Sequence, residues 1–409
     1  MGYRVEVFDK NMNRIGEIDE WISLDFSVRL SQEGSWQLLI KDGTPQSKLI
    51  EKGGGVAIWQ EGVSKPLLSG QVDVFQKYWT TVQHTGPGSL YIGGKCHNTL
   101  TYRRLVWPDP ARPVSDQWKN LLGYRPLRPT GTGDQIRSEM SYAFGPDALP
   151  ERRIGNVVFK ASATSGDIWD TSRWDVLGTK LEEWMDKRSL AYRCIYNAST
   201  QKIDVEIFKP VDRSKEVRFS PELGNLREYI WTLNAPKITR AIVGCAGEGP
   251  RRYFLQKIDT ATEAEWGMQI EGFVDRRDIG LMVDKTGTLV KATDDMTTDD
   301  FNAAKKAADD AATNVLAEGV KSGNFQIYPI DTADCLFGRD YFVGDIVTVA
   351  VDGTEYSDVV REVTISVDDG GNAIDVNPKI GEQGSGEPLN LYKTVYDMQK
   401  KLRKLESRM

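Results

Sequence analysis

The stretch Ile22-Ser-Leu-Asp-Phe-Ser-Val-Arg-Leu30 alternates apolar and polar residues, and the apolar run Trp36-Gln-Leu-Leu-Ile40 follows it after a turn that contains Gly34. A period of two residues is typical of a β-strand that buries one face, so this stretch predicts two neighbouring strands. Comparable runs lie on either side of it, at 3–8, 56–59, 67–74 and 78–82. About six short strands at this spacing predict a small β-barrel or sandwich at the start of the chain.

The pattern changes after this β-rich region, where seven prolines and a cluster of arginines interrupt residues 100–150. The change indicates a boundary followed by an inserted domain. A short helix is predicted over 134–144, and a second helix follows Ser172. The apolar stripe of that second helix is Trp174, Leu177, Leu181, Trp184 and Met185. Two alternating runs, 191–196 and 203–208, flank a turn and predict a hairpin.

The third region mixes one long helix with further strands. Thr297-Thr-Asp-Asp300 is a capping signal, and the Ala-rich segment behind it predicts a helix over 297–320. Strands are predicted at 239–244, 265–274, 324–330, 345–351, 359–367 and 373–376. The chain as a whole is therefore predicted to be mainly β, with an α+β insertion.

The last nineteen residues carry a narrow apolar stripe, whose members are Leu391, Val395, Met398, Leu402 and Leu405. This spacing forms the seam by which parallel helices from several copies pair. With Val395 at an a position, Lys401 falls at g and Glu406 at e, where opposite charges meet across the seam. A Gly-rich spacer at 381–387 favours projection from the body. We therefore predict a symmetric assembly; a lone amphipathic helix packed on its own domain is the alternative.

Composition limits the class of protein. The chain has 409 residues with 40% apolar content, no apolar stretch long enough to span a membrane, and an N-terminus that begins as a strand rather than a signal peptide. We expect synthesis in a cytosol and four buried free thiols. Net charge is −7, and without the basic segment 389–409 the remainder holds 46 Lys and Arg against 57 Asp and Glu, or −11. We do not expect such an acidic body to bind nucleic acid through its phosphates, but a negatively charged wall would suit a passage through which a polyanion slides without binding.

Catalytic and metal motifs are absent from the sequence. Only His84 and His97 are available for histidine chemistry, and Cys96 precedes His97 directly, so on a strand the two side chains point to opposite faces. We interpret both histidines as surface or loop residues. Gly93-Gly-Lys95 lacks the rest of a phosphate loop and is interpreted as a strand-end turn. No catalytic, cofactor-binding or metal-binding residue is predicted.

A glycosidase would need only two carboxylates, and Glu182 and Glu183 are the obvious pair. They are predicted to lie on the outer face of the second helix beside lysines, where surface charge is the usual reason for such residues. Eleven tryptophans could stack on sugars, but alternating strands place most aromatic residues in cores.

Five stretches, taken in order, resemble a known family. Leu24-Asp-Phe-Ser-Val-Arg-Leu-Ser-Gln-Glu-Gly-Ser-Trp-Gln-Leu38 is similar to its strand, turn and strand, and Leu67-Leu-Ser-Gly-Gln-Val72 to its return strand. Leu100-Thr-Tyr-Arg-Arg-Leu-Val-Trp-Pro108 resembles its exit into an inserted domain. Gly338-Arg-Asp-Tyr-Phe-Val-Gly-Asp-Ile-Val-Thr-Val349 is the most recognisable piece, and Asn377-Pro-Lys-Ile-Gly381 is similar to its ending. The family is the tail-tip hub proteins of long-tailed phages with non-contractile tails, whose fold is similar to the baseplate hub of contractile-tailed phages.

The resemblance implies two small β-barrel domains, an inserted α/β domain and, from this sequence alone, a C-terminal short coiled-coil helix. The implied segments are a first barrel at 1–105 with 211–235 as its candidate completion, the insertion at 106–210, a second barrel at 236–384 that includes helix 297–320, and the linker and helix at 385–409.

The function implied by the resemblance is structural. A homotrimer would form a ring that caps the tail tube, adapts sixfold to threefold symmetry and gates the exit of tape measure protein and DNA. Its expected partners are the tail tube protein above, the tape measure protein in the lumen, and a tail fibre or receptor-binding protein at the C-terminal helix. The expected location is the virion tail tip, after assembly in the host cytoplasm.

Two other functions stay open at this point. One is a tail-associated cell-wall hydrolase, for which we expect no room because a nineteen-residue helix closes the chain. The other is a carbohydrate-binding adsorption protein, whose pertinent features would be surface tryptophans and a trimeric stalk.

Overall fold

The structure is a computed structural model that describes residues 2–81, 88–120, 125–127, 131–166, 170–186, 188–319, 322–329 and 335–381. It is mainly β. The strands are β1 Tyr3–Phe8, β2 Arg14–Ile18, β3 Ser23–Arg29, β4 Ser35–Lys41, β5 Gly55–Gln60, β6 Leu68–Gln71, β7 Val74–Tyr78, β8 Ser89–Lys95, β9 Arg125–Leu127, β10 Val157–Phe159, β11 Asp170–Ser172, β12 Ala191–Asn197, β13 Lys202–Phe208, β14 Arg218–Phe219, β15 Leu226–Asn234, β16 Arg240–Gly244, β17 Phe254–Ile258, β18 Glu271–Asp275, β19 Leu281–Val283, β20 Leu289–Lys291, β21 Ser322–Pro329, β22 Ile346–Val351, β23 Thr354–Val367 and β24 Ala373–Gly381.

The α-helices are α1 Thr99–Tyr102, α2 Thr132–Phe144, α3 Leu177–Asp186, α4 Thr260–Trp266 and α5 Thr298–Glu318. Within the described ranges, none of them combines the length and the apolar character that a membrane crossing requires.

The chain divides into two compact units. The first is formed by Met1–Ile230 together with Phe325–Gly381, and the second by Trp231–Asn324. The chain passes from one unit to the other within β15 and returns within β21.

A ten-stranded sheet organises the first unit. Its main path runs β15-β21-β24-β23-β3-β4-β8-β7, with β22 and β14 branching from β23. The long strand β23 pairs with β22 through its first half and with both β24 and β3 through its second half. The antiparallel β3–β23 pairing places Phe26 opposite Ile365, so strands more than 330 residues apart in sequence share one ladder. The start and the end of the described chain therefore build one sheet.

One face of this sheet is apolar and fully covered. Its residues are Leu24, Phe26, Trp36, Leu38, Leu90, Ile92, Val363, Ile365 and Val367, all buried. They share one hydrophobic core with residues of β1 and β5.

A pair of glycines, Gly93 and Gly94, lies inside β8 rather than in the strand-end turn that we expected. A Cβ on Gly94 would come within 2.0 Å of the Gln71 carbonyl oxygen, so close backbone approach explains that glycine.

The inserted segment packs on this β region through a second core, which α2, α3, β12 and β13 share with Phe8 and Trp59. Strand β12 is the edge of the sheet β10-β13-β12.

Three side-chain oxygens cap the outer edge of β12. The backbone N–H of Tyr192 donates to Ser31 Oγ at 3.1 Å, that of Cys194 to Asn98 Oδ1 at 2.8 Å, and that of Tyr196 to Ser69 Oγ at 2.8 Å. These amides alternate along the strand, as the ladder amides of an edge strand do. The caps satisfy backbone donors that a buried edge would otherwise leave without partners.

His97 supports one of these caps from the turn between β8 and α1, so it is a loop residue as the second alternative predicted, but it is fully buried and not at the surface. Its Nδ1 lies 2.8 Å from Ser69 Oγ, and its ring stacks on Phe8 at 5.7 Å. Burial lowers the pKa of His97 to about 3, because no charged group compensates the desolvation of the imidazolium. The side chain is therefore neutral near pH 7.

The second unit is a three-stranded sheet, β17-β16-β18, with α5 packed on one face. Thr297 begins α5 with a capping box: Asp300 N–H donates to Thr297 Oγ1 at 3.1 Å, and Thr297 N–H donates to Asp300 Oδ2 at 2.9 Å. The capping signal that we predicted here is confirmed, and so is the long helix behind it.

The mainly β class, the helix at 134–144 and the hairpin of β12 and β13 are also confirmed. The two barrels are not confirmed, because within the described ranges the strands form open sheets and none closes on itself. The domain boundaries at 105, 210, 235 and 384 stay predictions, and the coiled-coil helix lies outside the described residues.

A first prediction concerns the cap at Cys194. Asn98 accepts from the buried backbone N–H of Cys194 through Oδ1 and donates to the Gln32 carbonyl through Nδ2 at 2.9 Å. Replacing Asn98 by Ala removes both hydrogen bonds. We expect a loss of about 1–3 kcal/mol in the free energy of unfolding, measured by chemical denaturation. The exposed Asn11→Ala is the control and should change stability by less than about 0.5 kcal/mol. Equal effects of the two substitutions would contradict the capping role.

A second prediction concerns pH. The pKa of His97 is lower in the folded than in the unfolded state. The contribution of neutral His97 to the free energy of unfolding is therefore fully present above pH 6.5 and is lost as pH falls towards 3. Between pH 7 and pH 5 the wild-type protein should lose about 2 kcal/mol more stability than His97→Gln. Denaturant titrations at both pH values measure this difference, and parallel pH dependence of the two proteins would refute it.

Candidate assembly surface

The five residues of the C-terminal stripe, Leu391, Val395, Met398, Leu402 and Leu405, lie outside the described residues. Their role in oligomerisation or partner docking stays a prediction. The described part of the chain offers a different candidate, the second face of the large sheet in the first unit.

This second face is polar over its whole central part. Register places its residues opposite one another on β4, β3, β23 and β24: Gln37 with Asp25, Ser35 with Ser27, Ser27 with Thr364, Asp25 with Ser366, Thr364 with Asn377, and Ser366 with Asp375. Alternation along each strand causes the division, since the buried apolar residues occupy the positions in between. We call this surface the polar sheet face.

Charges on the polar sheet face are mostly paired. Glu362 lies 3.2 Å from both Arg29 Nε and Lys379 Nζ, and the pKa of its carboxyl is lowered by these cations despite burial. Arg227 Nη2 lies 3.2 Å from Asp375. The remaining carboxylate, Asp25, accepts from Ser366 Oγ at 2.6 Å. The acidic excess of the body is therefore not concentrated on β3, β23 and β24.

The main path of the sheet ends at β7 on one side and at β15 on the other. Strand β7 pairs only with β8 among the described strands, and all five of its residues are exposed. Val74 is 48% exposed and Phe75 45% exposed. A long edge strand with apolar side chains is a template for pairing with another chain unless charge or covering protects it.

The carboxylates considered for a glycosidase have structural partners. Glu183 pairs with Lys180 at 2.8 Å, as expected for a helix surface. Glu182, by contrast, is half-buried, accepts from Gln32 Nε2 at 2.6 Å and also accepts from the Tyr102 hydroxyl. Burial and the neighbouring carboxylate raise the pKa of Tyr102. Glu182 thus fastens α3 to the first β region, and our expectation that it lies on an outer face was wrong.

His97 and Ser69 are hydrogen-bonded as a nucleophile and base would be, yet both have zero exposure. His84 lies outside the described residues. Cys96 and Cys194 are buried, and burial raises the pKa of the Cys96 thiol to about 11. In the part of the chain that the structure describes, no three His, Cys, Asp or Glu side chains are grouped to hold a metal ion.

Sequence reasoning missed the residues that cap β12. Ser31, Ser69 and Asn98 are ordinary polar residues near turns, and nothing local marks them as partners of a strand about 100 residues or more away. The polar sheet face was detectable in part, because the alternation at Ile22–Leu30 gives its polar positions without saying which strands join them.

Comparison with known structures gives the same fold at low sequence identity. The tail protein from Neisseria meningitidis MC58 matches with a TM-score of 0.54 and 12% identity, covering 94% of this chain and 98% of that one. The 43 kDa tail protein of prophage MuSo2 from Shewanella oneidensis gives 0.52 and 9%, covering 92% and 97%. Prophage tail protein gp18 from Listeria monocytogenes EGD-e gives 0.51 and 10%, covering 98% and 100%.

The comparison with curated protein sequences finds no match. A family model, by contrast, matches residues 4–382, nearly the whole length of the described chain. The chain belongs to the family of Siphovirus ReqiPepy6 Gp37-like proteins.

Proposed function

We propose that three copies of this chain form a ring at the tip of the phage tail, with the polar sheet face turned towards the central channel. Its family places the chain in a siphovirus, and the fold is that of phage tail proteins, so the chain is a component of the virion tail. The trimer, its position on the tail tube and its partners are the proposed part.

The observation that carries the proposal is the shape of the large sheet. Its main path of eight strands is open, has one polar face, and ends at the edge strands β7 and β15. Three copies joined end to end, β7 of one beside β15 of the next, would bring three times eight, or 24, strands into one closed wall. Barrels of that size enclose an open lumen rather than a packed core. Heterologous contacts of this kind close into rings when the rotation allows it.

The chemistry of the polar sheet face supports a channel for DNA and for the tape measure protein. Hydroxyl and amide groups alternate with carboxylates and cations that are already paired, such as Glu362 with Arg29 and Lys379. A DNA phosphate would have to displace an existing partner to bind there. In the proposed ring, this pairing of charges, together with the net negative charge of the body, supports transit without specific nucleic-acid binding.

The remaining parts of the proposal come from the hub family that the sequence resembles. The ring caps the tail tube protein, adapts sixfold to threefold symmetry and gates the exit of tape measure protein and DNA. Within it the subunits complete two barrels each, and the helix at 391–409 trimerises or anchors a tail fibre or receptor-binding protein. The proposed role is structural and not hydrolytic. The hydrogen bond that Glu182 accepts from Gln32 and the complete burial of His97 support a structural role over a hydrolase.

A third prediction tests the assembly. The purified chain should be a trimer of about 138 kDa, three times 45.9 kDa, by light scattering coupled to size exclusion. Ending the chain at Gly384 removes the apolar stripe and should weaken self-association, since each Å² of apolar surface returned to water costs roughly 25 cal/mol. A monomer at every accessible concentration would contradict self-assembly of the isolated chain, and an unchanged trimer after truncation would contradict the stripe.

A fourth prediction tests the edge. Replacing Val74 and Phe75 by Lys should leave the fold intact, because both are exposed, and should weaken the trimer, because charged lysines disfavour pairing at a strand edge. The matched control is Ile374→Lys in β24, 56% exposed but between two pairing strands. Equilibrium sedimentation should show at least about tenfold weaker association for the edge variant only. Equal behaviour of the two variants would rule out the edge contact.

A further inference from the structure

The guanidinium groups of two arginines, Arg104 and Arg152, are held near each other in the first unit. Arg104 lies on the segment that follows α1, and Arg152 is the last residue of the 3-10 helix Pro150–Arg152. Arg104 Nη2 donates to the carbonyl of Arg152 at 3.3 Å, and Arg152 Nη2 donates to the carbonyl of Leu105 at 3.0 Å. Two separate segments of the chain therefore bring two cations together.

Arg152 is buried without a counter-ion. The residue is 7% exposed, and among the residues that the structure describes no carboxylate forms an ion pair with it or with Arg104. The adjacent Arg103, by contrast, lies 2.8 Å from Asp73. Burial, and then the positive charge of Arg104, lower the pKa of Arg152 to about 10, and the exposed Glu151 opposes this shift as the smallest of the three causes. A buried charge without a partner is unfavourable, so this place lacks an anion.

Trp107 fixes the orientation of the Arg152 guanidinium. The centroid of its ring lies 4.0 Å from Arg152 Cζ, and a second ring, that of Trp174, lies 5.8 Å from the ring of Trp107. A guanidinium that stacks on an aromatic face keeps its N–H groups free for bonding in its own plane. In the described part of the chain only the Leu105 carbonyl accepts from this guanidinium, and neither Nε nor Nη1 is fully buried. The remaining donors are therefore preoriented and accessible to a small ligand.

Charge and shape together favour a tetrahedral dianion as that ligand. The guanidinium fork matches pairs of phosphate oxygens, and its hydrogen bonds to an anion are stronger than those to a neutral acceptor. Two guanidinium groups carry two positive charges. A phosphate dianion balances both of them, whereas a carboxylate or a phosphodiester of DNA balances only one.

We propose that Arg104 and Arg152 bind a phosphate dianion, either inorganic phosphate or the phosphate group of a monoester. A bound phosphate would link the segment at 104–107 to the turn at 150–152. The site includes no residue of the polar sheet face, of β7 or of β15, so the proposal goes beyond the proposed function and stands independently of it.

The first test is calorimetric titration of the full-length chain with inorganic phosphate at pH 8, with chloride keeping the ionic strength constant. The wild-type chain should bind a single phosphate with a Kd of about 1 mM or below. Arg104→Gln and Arg152→Gln should each weaken binding at least about tenfold, because each removes a charge-assisted contact. The matched control is Arg103→Gln, which removes a neighbouring charge that Asp73 already pairs, and it should keep the wild-type affinity.

Arg104 is half-buried, so its variant tests the site even where Arg152→Gln fails to fold. Absence of saturable binding to the wild-type chain, unchanged affinity of Arg104→Gln, or an equal loss in Arg103→Gln would each refute the site.

The second test uses competing anions to define the ligand class. Sulfate, which has the same charge and shape, should displace phosphate, whereas acetate and dimethyl phosphate carry one charge and should bind at least about tenfold more weakly. Equal binding of either monoanion would overturn the assignment to a dianion. Glycerol 3-phosphate distinguishes the two sources: competition by this monoester supports a phosphorylated molecule as the ligand, and binding of inorganic phosphate without such competition supports the free ion.

Discussion

The pairing of β3 with β23 is the constraint on which the first unit depends. Six residue pairs, from Glu362 opposite Arg29 to Val367 opposite Leu24, join the two ends of the described chain into one sheet. Strands have a side-chain period of two, so a slip of β3 by one residue against β23 would move Phe26 and the other apolar residues of β3 to the polar side. The register of this one ladder therefore fixes both the covered core and the composition of the polar sheet face.

The inserted segment is attached by a different kind of contact. Strand β12 ends its own sheet, and instead of joining the large sheet it receives single oxygens from Ser31, Asn98 and Ser69. Side chains can supply these bonds only from fixed positions, so the attachment is specific without a continuous ladder. Glu182 adds a polar contact from α3 to the same β region. Two modes of joining, main chain to main chain and main chain to side chain, thus coexist in one unit.

Local patterns in the sequence were enough to predict much of the fold. Alternation located β3 and β4, and the Thr297 capping signal located α5, because both patterns depend on neighbours in sequence. Partnerships between distant segments left no local trace: nothing in Ser31 or Asn98 indicates β12, and a buried His97 looks like an exposed one. The polar sheet face was predictable as alternate positions, whereas its extent depends on which strands join.

The β3–β23 ladder also has a consequence for biosynthesis. Ribosomes add roughly 5–20 residues per second, so β3 waits on the order of 20–70 seconds for its neighbour to be translated. During that interval Leu24, Phe26 and Val28 lack one of their eventual neighbours. The nascent chain must either be shielded by a chaperone or rely on β4 and β8, which emerge soon after β3, to keep these side chains from aggregating. Production in a heterologous host should therefore be sensitive to translation speed over the second half of the message.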